Sequence, residues 1–349
     1  MPKIVFKSSK LDVKRALLDR MIDSYLQDNC AITRTSVAKS CGASKTSAGK
    51  IASALTNGGF MYERLYSDPG KHPALHLFST QNFNVLIIDL SSAKYTLSIM
   101  SNDYKCLFEK SHEYDADISF EDNLGIFLSR CGLDARKSGK TYAATCVIYY
   151  DIPRNNNTSE FNRKAHLPSL SDKGITDKII YSVFRRYPDL YISTTQAIGA
   201  TVKYNIFPRH AQGNGVSYVF AGTYLCAFHA TSHAITHCNI SSLMVDGRCA
   251  KDMIGTHLDH TELSLLLTRA VNLMYCAYNT DCVILESDVY DLDRGYTADI
   301  SKAFARSGEF VSDLIVVSRA TGAKYAGAVK ATFVHTVKRC LIATDDKNT

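Results

Sequence analysis

Val85-Leu86-Ile87-Ile88-Asp89-Leu90-Ser91-Ser92-Ala93 marks the point where the chain changes character. The unbroken apolar run reads as a buried strand. It ends on a carboxylate followed by small hydroxyl residues. Asp89 sits where a strand-end carboxylate can bind a metal, but no glycine turn follows it. It is therefore read as a loop-bonding or helix-capping residue.

Downstream of that strand the pattern alternates between strands and helices. Segments 95–100 and 104–113 read as strands, 122–131 as a helix and 142–149 as an apolar strand. A helix over 172–187 leads to the strand 190–193 and a helix near 197–204. The polar stretch 154–172 reads as a surface excursion. The pattern then starts again, with a hairpin-like pair at 216–221 and 225–230. A long amphipathic helix at 261–278, a strand at 282–285, a helix at 298–307, a strand at 314–317 and a closing helix at 323–337 follow. Two α/β halves, each opening with antiparallel strands, predict an actin-like (ribonuclease-H-like) ATPase or sugar-kinase architecture.

Upstream, the chemistry is different. The chain of 349 residues carries a formal charge of +6. Residues 1–80 hold twelve Lys/Arg and six Asp/Glu, so the whole excess lies in the first quarter of the chain. That is the charge distribution expected of a nucleic-acid-binding head on a neutral body. An amphipathic helix over 11–28 precedes a short helix at 35–41, with Gly42 available for a left-handed stop. Ser44 caps a third helix over 45–56. Two short helices joined by a tight glycine turn make the helix-turn-helix pattern. A reading helix must enter a groove roughly 12 Å wide, so its outer face needs small polar or long basic side chains. Lys45, Thr46, Ser47, Gly49, Lys50 and Ser53 supply that face. Segments 60–66 and 74–78 pair as a hairpin whose tip carries Lys71 and His72, a wing able to touch phosphate. Helix-turn-helix geometry also builds protein-interaction modules, and that reading stays open.

Bulk properties narrow the classes. No apolar run reaches the roughly 18 residues that span a bilayer, and the N-terminus is a poor secretion signal. The eleven cysteines are odd in number and form no Cys-x-x-Cys pair, so reduced thiols in a cytoplasmic protein are expected.

Helix-turn-helix, wing and the strand at residue 85 together resemble the repressor members of the ROK family (repressor, open reading frame, kinase). Gly70-Lys71-His72-Pro73-Ala74 is similar to the family's Gly-Gly-Arg-Pro-Ala wing end. Val271-Asn272-Leu273-Met274 with Asp281-Cys282-Val283-Ile284-Leu285 resembles a later helix and strand, and Tyr325-Ala326-Gly327-Ala328 the motif of the last helix. The resemblance implies a winged helix-turn-helix over 1–80, a first kinase-like lobe over 81–205 and a second over 206–349.

The departures from the family pattern point away from catalysis. Family kinases hold ATP phosphates on an Asp-x-Gly-Gly-Thr turn, because glycine lets backbone N–H groups approach an anion. Here the turn is Asp89-Leu90-Ser91-Ser92-Ala93. The second phosphate turn becomes Gly222-Thr223-Tyr224-Leu225-Cys226. The base motif Glu-Asn-Asp-Ala-Asn matches best at 193–197, which puts Thr195 where an aspartate must accept a sugar proton. The family's sugar-binding and zinc-holding motifs have no counterpart; the region 240–252 offers only Cys249. No catalytic residue, cofactor or metal is therefore expected.

Two other constellations are weighed. His229, His233 and His237 recur every four residues, but on a strand successive members lie roughly 13 Å apart, too far for one ion. Asp288, Asp291, Asp293 and Asp299 lack the spacing of a calcium loop and read as solvated carboxylates. The expected function is a DNA-binding transcriptional regulator, as a homodimer or higher homo-oligomer. Double-stranded DNA is its partner, and a sugar-like effector is the ligand the resemblance would allow. The alternatives are a divergent sugar kinase and a protein-interaction module.

Overall fold

The computed structural model describes residues 83–92, 94–150, 170–203, 215–222, 225–231, 234–240, 242–253, 258–280, 282–287, 290, 292, 294–307, 313–317 and 322–341. In the first eighty residues it describes 35, 38–39, 44–47, 49–50, 53, 61–64 and 74–77. The helix expected over 11–28, the wing tip at Lys71 and His72, and the excursion at 154–169 lie outside them, as do Thr223, His233, Asp288, Asp291 and Asp293. The chain divides into two compact units, Asn84–Ala331 and a unit joining Met1–Phe83 to Thr332–Thr349.

The larger unit holds two five-stranded sheets built to one plan. In the first, β3 (Val85–Asp89), β4 (Lys94–Met100) and β5 (Cys106–Glu113) form an antiparallel meander. Helix α1 (Phe120–Lys137), β6 (Ala144–Tyr149), α2 (Lys173–Phe184), β7 (Leu190–Ser193) and α3 (Thr194–Lys203) follow. Strands β6 and β7 run parallel, with β6 beside β3, giving the order β5-β4-β3-β6-β7.

The second sheet repeats this. The meander is β8 (Val216–Ala221), β9 (Leu225–Ala230) and β10 (Ile235–Cys238). After it come a small hairpin, β11 (Met244–Val245) with β12 (Arg248–Cys249), and the short α4 (Ala250–Met253). Then α5 (His260–Tyr278), β13 (Cys282–Glu286), α6 (Arg294–Ser307), β14 (Asp313–Val317) and α7 (Ala323–Leu341) complete the half. The order is β10-β9-β8-β13-β14, with β13 parallel to both β8 and β14.

Local rules explain the boundaries. Helix α1 starts at Ser119, whose side chain accepts the Asp122 N–H, and the acids Glu121 and Asp122 face the positive end of the helix. Helix α5 opens on a reciprocal capping box between Asp259 and Glu262 and stops at Asn279 in the left-handed region (φ 46°). Strand β3 is buried along its whole length, as its unbroken apolar run requires. Leu86 and Ile88 of β3, with Tyr95, Leu97 and Ile99 of β4, pack on Leu124, Phe127 and Leu128 of α1. In the second half Val219, Val283 and Leu285 pack on Leu263, Leu266, Leu267 and Met274 of α5. A third cluster joins Tyr150 and Ile198 of the first half to Tyr218, Phe220, Phe228 and Ile284 of the second.

In the smaller unit, Thr35, Ala38 and Lys39 are helical and Ala38 is buried. Ser44 precedes helical residues at 45–47, 49–50 and 53. Strands β1 (Met61–Arg64) and β2 (Ala74–Leu77) pair antiparallel, Met61 opposite Leu77 and Arg64 opposite Ala74. Phe83 meets Phe333 edge-on at 5.1 Å. No helix among the described residues is long and apolar enough to cross a membrane.

Candidate functional site

Asp89 stands at the end of β3 with its side chain buried, and both of its oxygens are used. Oδ1 accepts the Ser91 N–H at 3.0 Å and the Ser91 hydroxyl at 2.6 Å. Oδ2 lies 2.7 Å from Lys324 Nζ and accepts the Tyr325 hydroxyl at 2.9 Å. Lys324 Nζ also donates to Ser91 Oγ at 3.1 Å, which closes the network. A carboxylate offers about four lone-pair sites, so this one has none to spare.

The electrostatics follow from that geometry. Burial pushes the Asp89 carboxyl upward. The Lys324 ammonium and the hydrogen bonds from Lys324 and Ser91 outweigh it, holding the group below its ordinary value. Tyr325 goes the other way: burial first, then the charges of Asp89, Glu109 and Glu286, push its phenol well above the ordinary value. It therefore stays a neutral donor to Asp89.

Beside this network lies a cavity of about 90 Å³, lined among others by Asp89, Lys94, Glu109, Glu286, Lys324 and Tyr325. Small-molecule sites generally run from roughly 300 to 1,000 Å³. Glu286 reaches it from the end of β13 and accepts the Tyr218 hydroxyl at 2.9 Å. Gly322 sits against the same carboxylate: a Cβ there would fall 2.6 Å from Glu286 Oε1.

The other positions that the sequence aligned with kinase motifs make local contacts. Ser193 Oγ accepts the Gln196 N–H, and Gln196 Oε1 accepts the Ser193 N–H, each at 3.2 Å. That is a capping box at the start of α3, directly after β7. Thr195 is buried with its hydroxyl 3.2 Å from Ser193 Oγ, and it does not line the cavity. Ser92 lines the cavity and donates to the Lys94 carbonyl at 2.9 Å. Gly222 follows β8 in a bend. Further along α7, Gly327 crosses α3 so closely that a Cβ would lie 1.7 Å from the Ala197 carbonyl oxygen.

Of the histidine series the structure describes His229 and His237. His229 is buried on β9, stacked on Tyr278 at 4.7 Å with Nδ1 3.1 Å from Ser217 Oγ. His237 lies on β10 opposite Phe228. Among the described residues no group of three His, Cys, Asp or Glu is placed to hold a metal. Asp299 is on α6, 3.8 Å from His260 Nδ1.

In the first eighty residues, Ser44 Oγ accepts the Ser47 N–H at 3.1 Å, and the Ser44 hydroxyl donates to Ser47 Oγ at 2.9 Å. Lys45, Thr46, Ser47 and Lys50 are all exposed. The sequence pointed to Asp89 and its turn, and to Tyr325 only within the last-helix motif, but not to Lys324 or Glu286. The signal for Lys324 was a lysine set among the small residues that open the last helix, Ala323-Lys324-Tyr325-Ala326-Gly327-Ala328.

No family profile matches the sequence, and no curated protein matches it. Solved structures do. A ROK family transcriptional regulator, a homolog of the E. coli Mlc protein, superposes with a TM-score of 0.60 at 12% identity, over 93% of this chain and 98% of its own. The fold is a ROK fold. A ROK family glucokinase from Streptomyces griseus, in complex with glucose and AMPPNP, gives 0.49 at 12% identity over 72% of this chain and 98% of its own. An inorganic polyphosphate/ATP-glucomannokinase from an Arthrobacter strain gives 0.45 at 14% over 74% and 100%. The duplicated sheet plan described above is thus a ROK-fold body, an α/β sugar-kinase-like architecture.

Proposed function

We propose that this chain is a DNA-binding transcriptional regulator of the ROK type whose kinase-like body transfers no phosphoryl group. In this reading residues 1–80 form a winged helix-turn-helix, and 81–205 and 206–349 the two lobes of the body.

One observation carries the proposal: a Ser44-capped helix start presenting Lys45, Thr46, Ser47 and Lys50 to solvent. It lies between the helical residues 35, 38 and 39 and the β1–β2 hairpin. A helix N-terminus with adjacent lysines suits phosphate, and short polar side chains on its outer face suit base edges. Ser44 fixes the start of the helix, and Lys45, Thr46, Ser47 and Lys50 supply base and phosphate contacts. Lys71 and His72 add backbone contacts from the wing. The positive charge concentrated in residues 1–80 agrees, as does the extent of the match to the ROK regulator, which reaches well beyond residues 84–331.

For the body, three features argue against catalysis. Asp89 is saturated by the protein's own donors. The cavity beside it, about 90 Å³, falls below the roughly 300–1,000 Å³ usual for small-molecule sites. Thr195 occupies the base position, and a neutral threonine accepts no proton near pH 7. The body then serves as the oligomerisation scaffold of a cytoplasmic homodimer. Two half-sites are expected because one short helix reads too few base pairs for useful selectivity.

Retardation of duplex DNA from upstream of the protein's own gene tests this reading. Binding that falls steeply as salt rises is expected, since phosphate neutralisation releases counterions. Binding that is absent, or indifferent to salt, rejects it. Phosphorylation of a hexose or amino sugar in a coupled assay, abolished by Asp89→Asn, would instead establish a divergent kinase.

A further inference from the structure

Among the described residues, two unlike junctions join the halves of the body. One is apolar: Tyr150 and Ile198 pack into strands β8, β9 and β13, and Gly327 of α7 lies directly on the Ala197 carbonyl of α3. Helices this close cannot slide past one another without a backbone clash. The other is polar. Lys324 and Tyr325, in the first turn of α7, reach the carboxylate at the end of β3, which belongs to the first sheet. Each half otherwise carries its own core.

We propose that the Asp89–Lys324–Tyr325–Ser91 network is a latch between the halves of the body, with the apolar junction as its hinge. The physical difference between the two junctions assigns the roles. Parting an apolar junction exposes surface to water with no compensating gain. Parting a buried ion pair returns both charges to water, and their recovered hydration offsets much of the attraction given up. The polar junction is therefore the one that opens. While it is shut, the Lys324 ammonium fills the position beside Asp89 that any external cation or donor would need. The small cavity next to it, bordered by Glu286 and Glu109, is the space the shut latch leaves over. Opening would enlarge that space without melting either sheet.

Hydrogen exchange on the full-length protein, read by peptide mass, tests the latch. In Lys324→Met, amides of 90–92 and 322–326 are expected to quicken on the order of tenfold more than those of 86–88 and 283–285, which report only the variant's lower global stability. Tyr325→Phe removes one donor and leaves the ion pair, so the same peptides should quicken by a smaller factor. That variant keeps the test decisive if Lys324→Met does not fold. Unchanged exchange at 90–92 and 322–326 overturns the proposal. So does a uniform rise through both sheets, which would make the network a support of the whole fold and not a latch.

Discussion

The two sheets of the body share one strand order and differ in where they keep their charge. In the first, the acid ends the leading strand: Asp89 closes β3. In the second, the leading strand β8 ends on Ala221, and the acid ends the fourth strand as Glu286 of β13. The corresponding fourth strand of the first sheet, β6, ends on Tyr149. Topology is thus repeated while chemistry is not, and the two unmatched carboxylates arrive at the same small cavity. Each acid has found an internal partner, a lysine and a tyrosine for Asp89 and a tyrosine for Glu286. The fold needs the strands; the charges are satisfied from within.

Substitutions should separate these contributions. Lys324→Met leaves a buried carboxylate without its counter-charge and should cost about 3–5 kcal/mol in denaturant unfolding. Asp89→Asn together with Lys324→Met should cost clearly less, because no uncompensated charge then remains. If the double variant is the worse of the two, the pair does not behave as a buried ion pair. The same comparison has a pH signature. Asp89 titrates below its unfolded value, so its contribution is fully present above about pH 4 and is lost as pH falls through the lower folded value. The double variant should lack that part of the acid transition.

The crossing of α3 and α7, the helices that close the two halves, comes next. Gly327→Ala drives a methyl into the Ala197 carbonyl and should cost about 3 kcal/mol. A smaller effect belongs to the second sheet: Tyr218→Phe removes the hydroxyl on Glu286, for about 1.5 kcal/mol. A larger loss there than at Lys324 would reverse the ranking of the two acids. The smallest effect should touch neither sheet. Gly49 is helical and a Cβ there meets nothing within 4 Å, so Gly49→Ala should raise the stability of the smaller unit by about 0.5–1 kcal/mol.

Much of the body could be read directly. Apolar runs such as 85–88 and 282–285 are strands because a strand covered on both faces has no polar positions to spare. The amphipathic stretch over 261–278 is α5 with its ends shifted by at most one residue. Strand β10 was not legible: Ile235-Thr236-His237-Cys238 is a short edge strand with two exposed residues, so its sequence is polar. The site was half legible. Asp89 stood out as a carboxylate at a strand end, and a loop-bonding role for it matches its bonds to Ser91. The ion pair was not legible, because Tyr325 and Lys324 come from the far end of the chain, 236 positions from Asp89 in the case of Tyr325. Spacing rules reach a few residues, and pairings of this kind depend on how whole halves pack. Ser193-Thr194-Thr195-Gln196 teaches the same point from the other side. Aligned as a failed base motif, it is in place a well-formed capping box.

The salt dependence of duplex binding in head and body variants is the most direct test. Lys45→Ala with Lys50→Ala should flatten the slope of log affinity against log salt by about two, one for each phosphate no longer neutralised, while Lys137→Ala, at an exposed position of α1, leaves it unchanged. Equal slopes in the wild type and the Lys45/Lys50 variant, or a change at Lys137 as large as theirs, would contradict a reading helix at Ser44.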